Sequence, residues 1–194
     1  MRHLALDVIH EEHQALAAML RSLPMLLAQA RREQVLPDFD VLRAMLFYVD
    51  EFPERLHHTK ETELLFPKLR ERVPALVPVI DRLDRDHEQG ERAIRELEHG
   101  LLAFEVMGEP RRAEFETAVD RYVRFYLEHM AIEETELLPA AQRELSAADW
   151  AELDAAFAEN RDPLTGHEPA DDYRPLFSKI VMQAPAPIGL GTAH

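Results

Sequence analysis

The chain has 194 residues and no cysteine, so disulfides, thiolate zinc sites and iron–sulfur clusters are excluded. Its 37 acidic residues against 22 basic ones give a formal charge of −15, which argues against binding to nucleic acid or to anionic membranes. Apolar residues make up 46% of the chain, yet no run approaches the roughly 18 residues of a membrane span, and residues 1–10 lack a signal-peptide core. We therefore expect a cytoplasmic protein built on one main core.

Four apolar stripes with helical spacing follow one another along the chain. They predict helices over residues 4–30, 42–65, 76–101 and 115–137. The stripes are separated by breaks at Pro37, where Asp38 could cap the next helix, at Pro67 and Pro74, and at residues 107–110. Four long amphipathic helices with short connections predict an all-α, antiparallel up-down-up-down four-helix bundle. Pro53 lies inside the second stripe and should kink that helix.

The bundle should occupy residues 1–145, and residues 146–194 should form a C-terminal extension. A short fifth helix is expected to begin at Ser146 or Ala147, and residues 177–183 should form one or two helical turns. The last eleven residues should be extended. The apolar residues of the extension indicate that it packs on the bundle or on a partner, and it could mediate a homodimer.

One short unit occurs twice. His57 precedes Glu61 by four residues, His129 precedes Glu133 by four residues, and each unit ends in a Leu-Leu run and a proline. Two further histidines, His13 and His87, sit early in the first and third predicted helices. Equivalent histidines are 74 and 72 residues apart, so the chain reads as a twofold repeat that brings four histidines to the middle of the bundle.

The spacing gives each unit a metal-binding geometry. Residues i and i+4 share a helical face, so each unit presents an imidazole nitrogen and a carboxylate to one point. Two units and two more histidines supply six ligands of the kinds that iron, manganese or zinc take, and the carboxylates can bridge two metals. A single histidine on an apolar stripe is more often a satisfied core residue, and a single glutamate could be salt-bridged. The complete set favours a metal, because carboxylates buried among apolar residues are costly unless a cation neutralises them.

Other positions carry weaker signals. Glu91 repeats the i+4 offset from His87 and is a candidate seventh ligand, whereas His58 lies about 100° round the helix from His57 and is the less favoured of that pair. His10 is expected at the surface, with a role beside the metal as the alternative. Tyr122 is expected to fill the core, although it could donate a hydrogen bond near the metals. The remaining histidines are expected at the surface: His3, His99, His167 and His194.

Residues 4–144 resemble the hemerythrin-like (HHE cation-binding) family in the order and spacing of these histidines and glutamates. The resemblance implies a four-helix bundle that holds a non-haem di-iron centre, bridged by two carboxylates and often by an oxo or hydroxo group. It implies terminal ligands and bridges at the matching positions of this chain. The terminal ligands would be His13, His57, His87 and His129, and the bridges Glu61 and Glu133. Zinc or manganese could substitute for iron.

The chain departs from the oxygen carriers of that family at one position. Oxygen-carrying hemerythrins have a second histidine four residues after the one on the third helix, and this chain has Glu91 there. An added carboxylate would stabilise the ferric state, which argues against reversible oxygen carriage and for a redox-active or iron-sensing centre.

Three functions remain open on the sequence. We favour a binding or sensing protein for dioxygen, nitric oxide, iron or redox state. The first alternative is a di-iron enzyme that consumes peroxide or reduces nitric oxide. The second is a structural bundle whose site is empty or holds zinc.

Overall fold

The computed structural model describes residues 3–160, 162–184, 186 and 188–190. Within these residues the chain forms helices and no β-strand, which confirms the predicted all-α fold. The α-helices are α1 (Leu4–Arg32), α2 (Phe39–Val49), α3 (His58–Lys60), α4 (Phe66–Arg72), α5 (Val77–Met107), α6 (Arg112–Ile132), α7 (Leu138–Glu144), α8 (Ala147–Phe157) and α9 (Arg174–Gln183). Among the described helices, none is both long and apolar enough to cross a membrane.

These helices join into four bundle stretches, each matching one predicted stripe. The first stretch is α1 and the third is α5. The second, residues 39–72, runs from α2 to α4 through two π-helical segments, Asp50–His57 and Glu61–Leu65. The fourth, residues 112–144, runs from α6 to α7 through the π-helical segment Glu133–Leu137. Contacts join α5 to α6, α1 to α6 and α2 to α5, as in a bundle, and the alternating direction of the stretches stays a prediction.

Helix ends follow the signals in the sequence. Asp38 caps α2, since its side chain accepts hydrogen bonds from the backbone N–H groups of Asp40 and Val41, as predicted. Ser146 caps α8 and forms a capping box with Asp149. Pro53 lies within a π-helical segment, so the irregularity expected there takes the form of wide helical turns.

The apolar core is divided into two clusters along the bundle. One includes Leu16, Phe52, Ile94 and Met130, and the other includes Ile9, Leu65, Leu83 and Leu137. Each of the four stretches carries a histidine between a residue of one cluster and a residue of the other. The buried apolar side chains, worth about 1.5–3 kcal/mol each, therefore hold a polar layer at the middle of the bundle.

The C-terminal extension packs on the bundle. Trp150, Leu153 and Phe157 of α8 are buried in the cluster that contains Ile9, and Phe177 and Ile180 of α9 are buried in the other cluster. At ten residues, α9 is longer than the one or two turns predicted. Beyond it, Leu190 N–H donates to the carbonyl of Val181 at 2.7 Å. The predicted extended ending falls largely outside the described residues, as does His194.

Candidate metal centre

The four stretches bring four histidines together as two close pairs. His13 and His57 form the first pair, with their Nε2 atoms 3.1 Å apart, and His87 and His129 form the second pair, with their Nε2 atoms 3.0 Å apart. All four side chains are buried. Imidazole nitrogens converge in this way where a shared proton or a cation lies between them.

Two carboxylates lie between the pairs, and each points one oxygen at either pair. Glu61 Oε1 is 3.3 Å from His57 Nε2, and Glu61 Oε2 is 3.6 Å from His87 Nε2. Glu133 Oε2 is 3.4 Å from His13 Nε2, and Glu133 Oε1 is 3.2 Å from His129 Nε2. This is the arrangement in which a carboxylate can bridge two metal ions.

The same carboxylates lack ordinary hydrogen-bond partners. Glu61 and Glu133 are both 0% exposed, and none of their four oxygens has a hydrogen-bond partner within the described part of the chain. A buried ionised carboxylate without donors is strongly disfavoured unless a cation coordinates it. The residues present therefore fit a metal centre better than a purely structural polar core.

The outward nitrogens of the histidines are held by a surrounding set of polar groups. His57 Nδ1–H donates to Glu12 Oε2 at 2.7 Å, and Glu12 also accepts from the Asn160 amide. The other three Nδ1 atoms also lie beside polar oxygens: His13 with Glu134 at 3.2 Å, His87 with Thr62 at 2.8 Å and His129 with Asp86 at 3.5 Å. The hydrogen bonds of His13, His57 and His87 fix the orientation of each ring and leave Nε2 as the inward ligand atom, whereas His129 Nδ1 has no hydrogen-bond partner among the described residues.

Burial, mutual repulsion and the nearby histidines shift the pKa values of the two carboxylates in opposite directions. Burial raises the pKa of Glu61, and the Glu133 charge raises it further. Burial alone would also raise the pKa of Glu133, but the positive charge of His129 and its neighbours holds that pKa well below its usual range. The pKa values of two carboxyl groups that share a buried site diverge in this way, because the charge on one group opposes ionisation of the other. A bound cation would allow both groups to ionise.

The comparison with known families agrees with this geometry. The model of the hemerythrin HHE cation-binding domain matches residues 4–141. The chain belongs to the hemerythrin family. A search of curated proteins found no match. A member of this family is expected to bind a cation, typically iron, and the buried cluster of histidines and glutamates in this hemerythrin-like domain fits such a site.

The structure brings six of the seven predicted ligands together and leaves Glu91 outside. The Glu91 side chain is 56% exposed and pairs with Arg95 one turn further along α5. It points away because Gly90 and His87, not Glu91, occupy the inner face of α5 at this level. His10 is exposed, as expected, with Nδ1 2.7 Å from the Leu6 carbonyl oxygen. His99 and His167 are also exposed, as expected, whereas His3 is half-buried and stacks on Trp150.

His58 is the residue that reasoning from the sequence undervalued. It is buried, and it can offer a ligand atom within 4.8 Å of those of Glu61, His87 and His129. Burial and the neighbouring imidazoles hold the pKa of His58 well below its usual range, so the ring is neutral near pH 7. The consecutive histidines therefore belong to two different groups that share Glu61: His57 is in the first pair, and His58 lies with His87 and His129 of the second pair.

π-helical segments flank the first repeated unit on both sides and follow the second unit from its carboxylate onward. Asp50–His57 ends at the first ligand of its unit, and Glu61–Leu65 begins at the carboxylate of the same unit. The matching segment Glu133–Leu137 begins at the carboxylate of the second unit. Wide turns of this kind are frequent at functional sites. Pro53 was the signal in the sequence for the first of them.

Proposed function

We propose that this hemerythrin-like domain is a binding or sensing protein with a dinuclear iron centre, whose ligand is a small molecule such as dioxygen or nitric oxide, or whose signal is iron or redox state. The terminal ligands are His13, His57, His87 and His129, and the bridges are Glu61 and Glu133. Iron would supply the redox chemistry when bound, and the protein would supply its ligands and a water-poor site.

The main support for this proposal is that the two oxygens of each carboxylate face different histidine pairs. Glu61 and Glu133 each have one oxygen beside the first histidine pair and one beside the second. A mononuclear site would not need both oxygens of both groups to face different histidines. Two cations, one at each pair, satisfy all four oxygens that otherwise have no partner.

The surroundings of the first pair favour a small ligand. A pocket of about 10 Å³ beside His57 is lined by Glu12, Phe52, Pro53 and Asp162 among others. That volume corresponds to roughly one water molecule, so only a very small ligand fits beside His57, whereas a cavity of about 490 Å³ lined by Glu54, His58 and His87 among others lies beside the second pair. The family match supports the cation-binding part of this proposal.

The test is metal analysis with an absorption spectrum of protein loaded with iron under anaerobic conditions, before and after air is admitted. We expect about two irons per chain and the charge-transfer absorption of a bridged ferric pair after oxidation. A new band that disappears on removal of dioxygen would support reversible binding. Irreversible conversion to a plain diferric spectrum would support redox or iron sensing. Zinc content, or iron well below two per chain, would overturn the dinuclear iron proposal.

The enzyme alternative is tested separately. Iron-loaded protein is mixed with hydrogen peroxide or nitric oxide, and consumption is followed over many equivalents per site. Sustained turnover would replace the binding function with catalysis. Consumption that stops at about one equivalent per centre would retain it.

A further inference from the structure

A polar network in the second half of the site centres on His58. Its ring stacks on His87 at 4.2 Å and on Tyr126 at 5.4 Å, and its Nδ1–H donates to Glu54 Oε2 at 3.1 Å. His13, His57 and His87 likewise have a polar partner at Nδ1, and His58 can offer a ligand atom within 4.8 Å of those of Glu61, His87 and His129. The sequence repeat did not point to it, because no histidine follows His129 in the second unit.

Glu54 is held in place by two tyrosines. Tyr122 donates its hydroxyl to Glu54 Oε1 at 2.9 Å, and the Tyr126 hydroxyl donates to the same oxygen. Both glutamate oxygens are thereby used, one by the tyrosines and one by His58. All four side chains are buried. A satisfied buried carboxylate of this kind fixes the orientation and tautomer of the imidazole that it accepts from.

The third stretch is shaped to admit this network. A Cβ atom added at Gly90 would overlap the Tyr126 hydroxyl and lie 2.9 Å from Glu54 Oε1. Gly90 therefore allows the tyrosine and the carboxylate to approach the α5 backbone one residue before Glu91, the position where the oxygen carriers have their extra histidine. The interior space at this level is filled from the second and fourth stretches.

We propose that His58 is a fifth imidazole ligand, on the side of His87 and His129, and that Glu54 is its positioning residue. The centre then has three imidazoles on one side and two on the other, although α5 contributes a single histidine. This inference rests on the dinuclear centre proposed above. It replaces Glu91, which is exposed and paired with Arg95, as the candidate for the remaining terminal position.

Iron content and Mössbauer spectra of His58→Ala and Glu91→Gln protein distinguish the two assignments. With His58 as ligand, His58→Ala loses one of about two irons on dialysis against a chelator, or changes one quadrupole doublet and leaves the other in place. Glu91→Gln should match the wild type. The exposed His99 of the same α5 provides a control, since His99→Ala should also match. Unchanged iron content and spectrum in His58→Ala, or a changed doublet in Glu91→Gln, would overturn the assignment.

Imidazole rescue separates a ligand role from a packing role. Adding imidazole to His58→Ala should restore the lost iron or the altered doublet, because the free ring can enter the space left by the side chain. Failure of imidazole to restore either signal, in protein whose metal-free circular dichroism is native, would count against coordination by His58.

A substitution on α5 tests the positioning of His58 by a second route. Gly90→Ala should displace Tyr126 and Glu54 and so change the same doublet as His58→Ala, whereas a different doublet would contradict the positioning role. If wild-type protein itself lacks a two-iron spectrum, the proposed function fails. If the wild type has it and His58→Ala does not alter it, this further inference alone fails.

Discussion

Glu61 and Glu133 occupy positions that folding alone disfavours. Both carboxylates are fully buried, no residue that the structure describes donates a hydrogen bond to their oxygens, and nearby imidazoles offset their charge. Burial raises the pKa of Glu61, so its ionised form lowers the stability of the metal-free fold near pH 7, whereas removing a bridging carboxylate deprives two metals of a ligand. Substitution of Glu61 by a neutral side chain should therefore have opposite effects on the metal-free and iron-loaded protein.

We expect Glu61→Gln to raise the unfolding free energy of the metal-free protein by about 1–2 kcal/mol, since it replaces a carboxyl group whose ionisation burial opposes with a neutral side chain of similar shape. Iron retention against a chelator should be lost, and so should the added stability of the loaded form, as for Glu61→Ala or Glu133→Ala. Denaturant unfolding of both forms, with iron analysis, measures this. The exposed Glu136 lies in a matching π-helical segment, so Glu136→Gln should change neither quantity. Retention of both irons by Glu61→Gln would disprove bridging.

At the scale of the elements, much of the arrangement could be read from the sequence. The stripes located four bundle stretches, and the repeat identified six residues that the structure brings together. An ideal helix with 100° per residue placed His58 about 100° round from His57 and so made His58 the less favoured ligand of the two. The helical pattern could not show that two groups of ligand atoms share Glu61, or that His58 belongs to the second group.

Glu91 shows a second limit of helical periodicity as a predictor of metal ligands. Its angular offset from His87 equals that of Glu61 from His57, yet Glu91 is exposed and Glu61 is buried. The difference arises from elements distant in sequence, because Tyr126 and Glu54 fill the space beside Gly90. A single-helix pattern carries no information about what a neighbouring helix contributes.

The π-helical segment at Pro53 gives a prediction at this scale. Pro53→Ala adds a backbone donor and improves helix propensity, so the metal-free protein should be as stable as the wild type or more stable, by up to about 3 kcal/mol. Iron affinity should fall at least about tenfold, because a regular α-helix would reorient His57 and His58. Thermal unfolding and chelator competition measure the two effects. Pro24 lies inside α1 away from the motif, so Pro24→Ala should leave affinity unchanged. Equal affinity in both variants would show that the wide turns do not position the ligands.

For the whole molecule, the extension and the metal centre form one hydrogen-bonded system. The amide of Asn160, just beyond α8, donates to both oxygens of Glu12 at 2.9 Å, and Glu12 accepts from His57 Nδ1–H. Lys60 donates to the Ala156 carbonyl at 2.7 Å and to the Asn160 side chain. We infer that residues 146–160 and 162–184 fold as part of the bundle, and that docking of α8 and occupancy of the centre influence each other.

This coupling predicts that Asn160→Ala weakens iron binding although Asn160 is no ligand. Loss of an outer hydrogen-bond partner typically costs 10–100-fold in metal affinity, and we expect a decrease of about that size in chelator competition. The neighbouring Glu159 is exposed, so Glu159→Ala should leave affinity unchanged. Because coupling between two equilibria is reciprocal, iron should in turn slow amide hydrogen exchange in α8 of the wild type, and less so in Asn160→Ala. Equal exchange in loaded and metal-free wild-type protein would mean that the extension docks independently of the metal, and a signal from the centre would then have to leave through another surface.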